Sequence, residues 1–250
     1  MTTKENALTE SLSVQIYTVR DAFARDPLAT LERLAAMGLA QVEPYALSTT
    51  GELASALKST GLRAPTAHAD LLGPEQVTIF EYAQTWGVAT VMVPFTEPEL
   101  WTTESSVLEL ARLLNAAAVV GATYGIGVGY HNHAHEVAAE LDGQTALEFF
   151  AANLDDEVVL EVDTYWAAVG GQDPVGLLER LGPRVVALHL KDGPITADNI
   201  DQVAVGHGRM PIGAILDAAP AALRVIELDD FRGDPFMAIA DSIDYLRGSA

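Results

Sequence analysis

Two kinds of segment alternate along the chain. Short runs rich in Val, Ile, Leu and Ala recur between longer amphipathic stretches, with no compositional break along 250 residues. Such runs, bounded by turn residues, read as strands buried on both faces, and the stretches between them read as helices. The pattern predicts strands at 13–19, 40–44, 63–68, 90–94, 126–131, 158–163, 185–190 and 224–228. It predicts helices at 27–37, 51–59, 74–86, 104–120, 144–153, 174–181, 211–218 and 235–246. Asp26-Pro27, Asp173-Pro174 and Asp234-Pro235 each put a capping carboxylate before a proline at the first helical position. Gly38, Gly61 and Gly87 stand where helices should stop.

Parallel strands joined by helices make either a closed barrel or an open doubly wound sheet. No Gly-rich nucleotide fingerprint follows any strand, and the repeat occurs eight times at a length typical of barrels. The expectation is therefore an α/β chain forming a single (β/α)8 barrel domain over residues 1–250.

Charge narrows the partners. Asp and Glu number 35 against 14 Lys and Arg, a net charge of −21, which disfavours nucleic acid and anionic membranes. Cysteine is absent, so disulfides, thiolate catalysis and Cys-type zinc sites are excluded. The first dozen residues are polar, without the apolar stretch of a signal peptide, and no long run lacks polar breaks. The expectation is a soluble cytoplasmic protein acting on a small molecule.

The six histidines are not scattered. His68, His131 and His189 fall at the C-terminal ends of predicted strands, and His133, His135 and His207 in the loops that follow. Barrel enzymes build their active sites on that face. Carboxylates behave alike: Glu43, Glu161, Asp163 and Glu227 sit on or at the ends of apolar strands. A buried carboxylate costs several kcal/mol unless paired or metal-bound. Ion pairs in the barrel mouth are the bland alternative, but Lys191 is the only lysine at a predicted strand end. Carboxylates with imidazoles and few cations suit a divalent metal. His131 and His133 share a face of an extended strand. Lys191 either neutralises an enediolate-like intermediate or acts as acid or base; its bland role is to pair with Asp163 or Glu161. Trp166, with Tyr165, is a candidate wall for a sugar ring. Gly206-His207-Gly208 reads as a lid or, more simply, as a connecting loop.

These residues resemble a family. Ser13 to Arg20 on the first strand, Val42-Glu43, Gly129-Tyr130-His131-Asn132-His133, Glu161 to Trp166, His189-Leu190-Lys191-Asp192 and Ile226-Glu227 follow the motif order of the sugar phosphate isomerase/epimerase family. These are the xylose isomerase-like TIM barrels. The YHNH and HLKD pieces are similar to the branch holding inosose dehydratase-like proteins. The resemblance implies one divalent metal (manganese, cobalt, magnesium or zinc) with Asp163, His189 and Glu227 as ligands. The remaining ligand is a glutamate in the epimerases; here His131, or else His133, takes that place.

The resemblance further implies proton abstraction next to a carbonyl of a sugar, keto sugar or cyclitol. Glu227 or a histidine would take the proton, His133 or Lys191 would act as acid, and Glu43, His68 and Trp166 would contact substrate. An imidazole in place of the second glutamate points as well to a dehydratase or lyase on a 3-keto sugar or keto-inositol. Scarce arginine favours a substrate without phosphate. A non-catalytic barrel subunit is the reading of another class, and the net charge disfavours an endonuclease IV-like repair enzyme. Barrels of this kind often dimerise or tetramerise, so a homo-oligomer is expected on that analogy alone.

Overall fold

A computed structural model describes residues 12–47 and 51–248. Residues 1–11, which carry most of the segment read as lacking a signal peptide, lie outside it. Seven strands form one parallel sheet in the spatial order Leu12–Val14, Leu223–Ile226, Val185–Leu190, Val158–Asp163, Gly127–His131, Thr90–Val93, Thr66–His68. The remaining stave is the segment around Val42. It joins the two sheet edges through parallel bridges Gln15 to Glu43 and Gln41 to Arg63. Glu43 N–H donates to Val14 O at 2.8 Å and Val42 N–H to Arg63 O at 2.9 Å, which closes the barrel.

The weakest staves have a covalent cause. Pro44 and Pro65 lack an N–H, so the predicted strands at 40–44 and 63–68 shrink to isolated bridges and to Thr66–His68. The predicted strand at 13–19 ends at Val14. Beyond it Ile16–Val19 is a 3-10 turn and Arg20–Arg25 an unpredicted helix. Tertiary contact overrides the β-branched residues there, since the Thr18 hydroxyl accepts from Leu228 N–H at 3.0 Å.

The capping signals act as read. Asp26 accepts from Ala29 N–H, Asp173 from Val175 and Gly176, and Asp234 from Phe236. Gly38, Gly61 and Gly87 all take positive φ. The longest helix, Glu104–Tyr124, is long and apolar enough to cross a membrane by length and composition. Here it packs a face of Val107, Leu110, Ala111, Leu114 and Ala117 into the core. The predicted helix at 144–153 begins only at Ala146, capped by the reciprocal Thr145 and Glu148 pair.

Alternation along each strand sends one face inward. Gln15, Glu43, His68, His131, Glu161, Asp163, His189 and Glu227 are all buried at the strand ends. Gly129 lets Met92 and the neighbouring strand approach closely, because a Cβ there would meet Met92 Sδ and the Val159 carbonyl.

Candidate active site

At the C-terminal mouth lies a cavity of ≈ 430 Å³. His131, His133, Lys191 and Glu227 line it, together with His68 and Asp229. Tyr17, Tyr45, Phe95 and Trp166 supply aromatic walls.

Lys191 is the electrostatic centre. Its Nζ lies 2.7 Å from Asp163 Oδ2, 2.8 Å from Glu227 Oε2 and 2.9 Å from Asp229 Oδ1. Burial opposes its charge, but Asp163, Asp229 and Glu227 outweigh it and hold its pKa well above the ordinary lysine value. The lysine is therefore a fixed cation, and the ion pair with Asp163 is present. Burial pushes Asp163 up to about 6 against the pull of Lys191. Burial also works against an ionised Glu227, yet Lys191 and His189 keep its pKa well below the usual carboxylate range.

Two rings join this outer group. His189 Nδ1 lies 2.6 Å from Glu227 Oε2, and His131 Nε2 lies 3.9 Å from Asp163 Oδ2. His131, Asp163, His189 and Glu227 offer ligand atoms that all lie within 4.8 Å of one another. Two carboxylates and two imidazoles are the mixed oxygen and nitrogen set that divalent transition metals and zinc accept. His131 and Glu227 border the cavity, so an ion has an entry path. The residues present therefore fit such a metal.

A second group lies further in. His68 Nε2 is 2.6 Å from Glu161 Oε2, and His189 Nε2 is 2.7 Å from Glu43 Oε1. Gln15 Nε2 donates to Glu43 Oε1 at 2.8 Å. Glu43, expected at the substrate, is instead fully buried beneath His68 and His189, and does not line the cavity. Glu161 occupies the same inner layer, two residues before Asp163 on its strand.

His133 faces the cavity without a partner for Nδ1. Burial first, then the charge of Lys191, push its pKa down to about 3, so it is a neutral imidazole. Its backbone is clamped by Glu136, whose Oε2 accepts from His133 N–H at 2.8 Å while Oε1 accepts from the Tyr130 hydroxyl at 2.9 Å. Burial pushes Glu136 up to about 7. A carboxyl whose folded pKa exceeds the unfolded one favours the fold at low pH and loses that advantage as pH rises through about 7. Glu136→Gln is thus expected to abolish a stability loss of roughly 3 kcal/mol that the parent suffers between pH 5 and 8. Urea unfolding at both pH values checks this, and parallel pH trends in parent and variant would refute it.

Other expected residues separate. Trp166 lines the cavity and donates Nε1–H to Asp229 Oδ2 at 3.1 Å. Tyr165 is fully buried and bonds to Thr196 of the following loop, so it is no substrate wall. His135 opens the short helix His135–Ala138 rather than a loop. His207 is exposed, and its loop is an ordinary connection, tied down by Gly206 and Gly208 N–H bonds to Asp192 Oδ2. Asp229 and Glu136 were not singled out from sequence. Asp229 lies two residues beyond Glu227, just past the strand Leu223–Ile226, and Glu136 lies three residues beyond His133.

The comparisons agree with this fold. No curated protein matches the sequence. Among solved structures, a sugar phosphate isomerase/epimerase from Parabacteroides distasonis superposes with a TM-score of 0.73 at 26% identity, covering 94% of this chain and 93% of that one. A probable 3-DHS dehydratase from Bacillus anthracis gives 0.71 at 13% identity, covering 94% and 98%. A xylose isomerase-like TIM barrel protein from Mycobacterium smegmatis in complex with magnesium gives 0.62 at 13%, covering 89% and 87%. The family model for the xylose isomerase-like TIM barrel matches residues 31–247, and the chain belongs to that family.

Proposed function

We propose that the chain is a divalent-metal-dependent enzyme that removes a proton next to the carbonyl of a sugar, keto sugar or cyclitol, with His131, Asp163, His189 and Glu227 as the metal seat. One observation carries the reading. A neutral imidazole, His133, and a fixed ammonium, Lys191, line one cavity with Trp166 beside both; the ring lies 6.3 Å from His133 and 5.9 Å from Lys191 Nζ. When bound, the metal supplies Lewis-acid polarisation of the carbonyl and charge stabilisation of the enediolate. The magnesium complex of the Mycobacterium smegmatis barrel supports the choice of a divalent ion.

The protein's own groups do the rest. His133, neutral at working pH, takes the α-proton; the C–H electron pair becomes the new C=C bond and the carbonyl oxygen takes the negative charge. Lys191 sits close enough to the cavity to stabilise that oxygen while remaining charged. The proton of the α-hydroxyl passes to the former carbonyl oxygen, the α-carbon–oxygen bond becomes the new C=O as the C=C electron pair takes the His133 proton onto the former carbonyl carbon, and the substrate is isomerised with His133 neutral again. The aromatic walls pack the apolar face of a ring. Among the described residues that line the cavity there is one lysine, shared among three carboxylates, and no arginine, which favours a substrate without phosphate.

Elimination is the second reading, favoured by His131 standing where the resemblance expects a glutamate. There the His133 proton leaves with a β-hydroxyl or glycosyl oxygen instead of returning to carbon. Screening keto sugars and keto-inositols in D2O separates the two, since isomerisation leaves deuterium on the product carbon and elimination releases water or an alcohol. His133→Gln is expected to slow α-proton exchange by about 10²–10⁴-fold with metal content unchanged. Exchange at the parental rate in that variant would remove His133 from the mechanism.

A further inference from the structure

His131 and His189 each stand between two layers of carboxylates. His189 turns Nδ1 to Glu227 (2.6 Å) and Nε2 to Glu43 (2.7 Å) and Glu161 (3.2 Å). His131 turns Nε2 to Asp163 (3.9 Å) and Nδ1 to Glu161 (3.3 Å). The inner residues His68, His131, Glu161 and His189 also bring ligand atoms within 4.8 Å of one another. Glu43 Oε2, Glu161 Oε1 and His131 Nδ1 are buried there without a hydrogen-bond partner. On position alone, the barrel offers a cation two seats that share two histidines.

Imidazole chemistry prevents both from being filled together. A neutral ring has one lone pair and one N–H, so a nitrogen that ligates leaves the other as a donor. Filling both seats would require both rings as imidazolate anions. Access does not choose between the seats, because the outer one borders the cavity through His131 and Glu227 and the inner one through His131 and His68; the donor set does, with two carboxylates in the outer seat against one in the inner. The inner carboxylates are also already oriented as acceptors, Glu43 by Gln15 and Glu161 by His68.

We infer that Glu43 and Glu161 are positioning residues that fix the tautomers of the two shared histidines. Glu43 accepts the Nε2–H of His189, and Glu161 Oε2, 3.3 Å from the otherwise unpartnered His131 Nδ1, is the carboxylate oxygen placed to accept its N–H. This leaves His189 Nδ1 and His131 Nε2 as the ligating atoms of the outer seat. The inner group is then a hydrogen-bonding floor and not a second cation site. The carboxylate–histidine–metal relay is a general means of orienting a ligand. The inference rests on the metal reading above.

The test is nitrogen NMR of the full chain, labelled with 15N-histidine and loaded with zinc. One equivalent of zinc is expected, with His189 ligated through Nδ1 and protonated at Nε2, and His131 ligated through Nε2 and protonated at Nδ1. Glu43→Gln and Glu161→Gln are each expected to weaken zinc binding by about 10–100-fold and to disturb the N–H signal of the ring they face. Ligation through His189 Nε2, a second equivalent of zinc, or parental affinity in both variants would overturn the inference. A parent in which no ring shifts on zinc addition would overturn the metal reading with it, an outcome distinct from ligation through the wrong nitrogen. The parent spectrum alone decides the tautomers, whether or not the variants fold.

Discussion

Lys191→Met is expected to cost about 3–5 kcal/mol of folding stability and to abolish turnover, the penalty for removing one partner of a buried ionic group. The ammonium is 1% exposed and lies within 3 Å of Asp163, Glu227 and Asp229. Without it, three carboxylates face one another with no other lysine or arginine side chain among the described residues paired to them. Their folded pKa values would rise above the unfolded ones, so the variant should regain stability at low pH and lose more as pH increases. Urea unfolding at pH 5 and pH 8 gives both numbers. A midpoint unchanged from the parent would mean that Lys191 holds no essential charge in the fold. A neutral variant that still turned over at the parental rate would leave enediolate stabilisation to other groups.

The second large effect concerns the metal. Protein purified without added metal or chelator is expected to carry near one equivalent of a divalent ion, lost in both Asp163→Ala and His189→Ala. Removing a ligand should weaken binding beyond the about 10–100-fold that outer-shell changes cost. His189→Ala should also destabilise the fold, because the ring bonds Glu43 and Glu227 together across the barrel. Asp163→Ala is the cleaner probe of ligation, with Lys191 still holding Glu227 and Asp229. A parent that remains metal-free after incubation with manganese, cobalt, magnesium and zinc would leave His133 and Lys191 as the chemical groups, or the barrel as a binding subunit.

Much of this was legible in the sequence because its signals are local. A run such as Val158–Asp163 states its own burial through composition, and its inward face through alternation. Asp26, Asp173 and Asp234 cap helices through bonds that span two or three residues. Strand ends carrying His131, Asp163, His189 and Glu227 must meet once the barrel closes, because every parallel strand delivers its C-terminal end to one face. Local signals failed where distant groups decide. The predicted strand at 13–19 yields to a turn held from Leu228, and Pro44 and Pro65 thin two staves to isolated bridges.

Periodicity and the identity of the strand-end residues made the barrel legible, with His131, Lys191 and Glu227 at its mouth, but not Asp229, which lies beyond a strand end. Their charge and depth come from packing between segments that local signals do not connect. Charge and depth depend on neighbours far apart in the chain: His133 is neutral because it is buried near Lys191, Lys191 is a permanent cation because the ends of two other strands bring three carboxylates to it, and Glu43 lies beneath His189 because the barrel closes between the first and third staves.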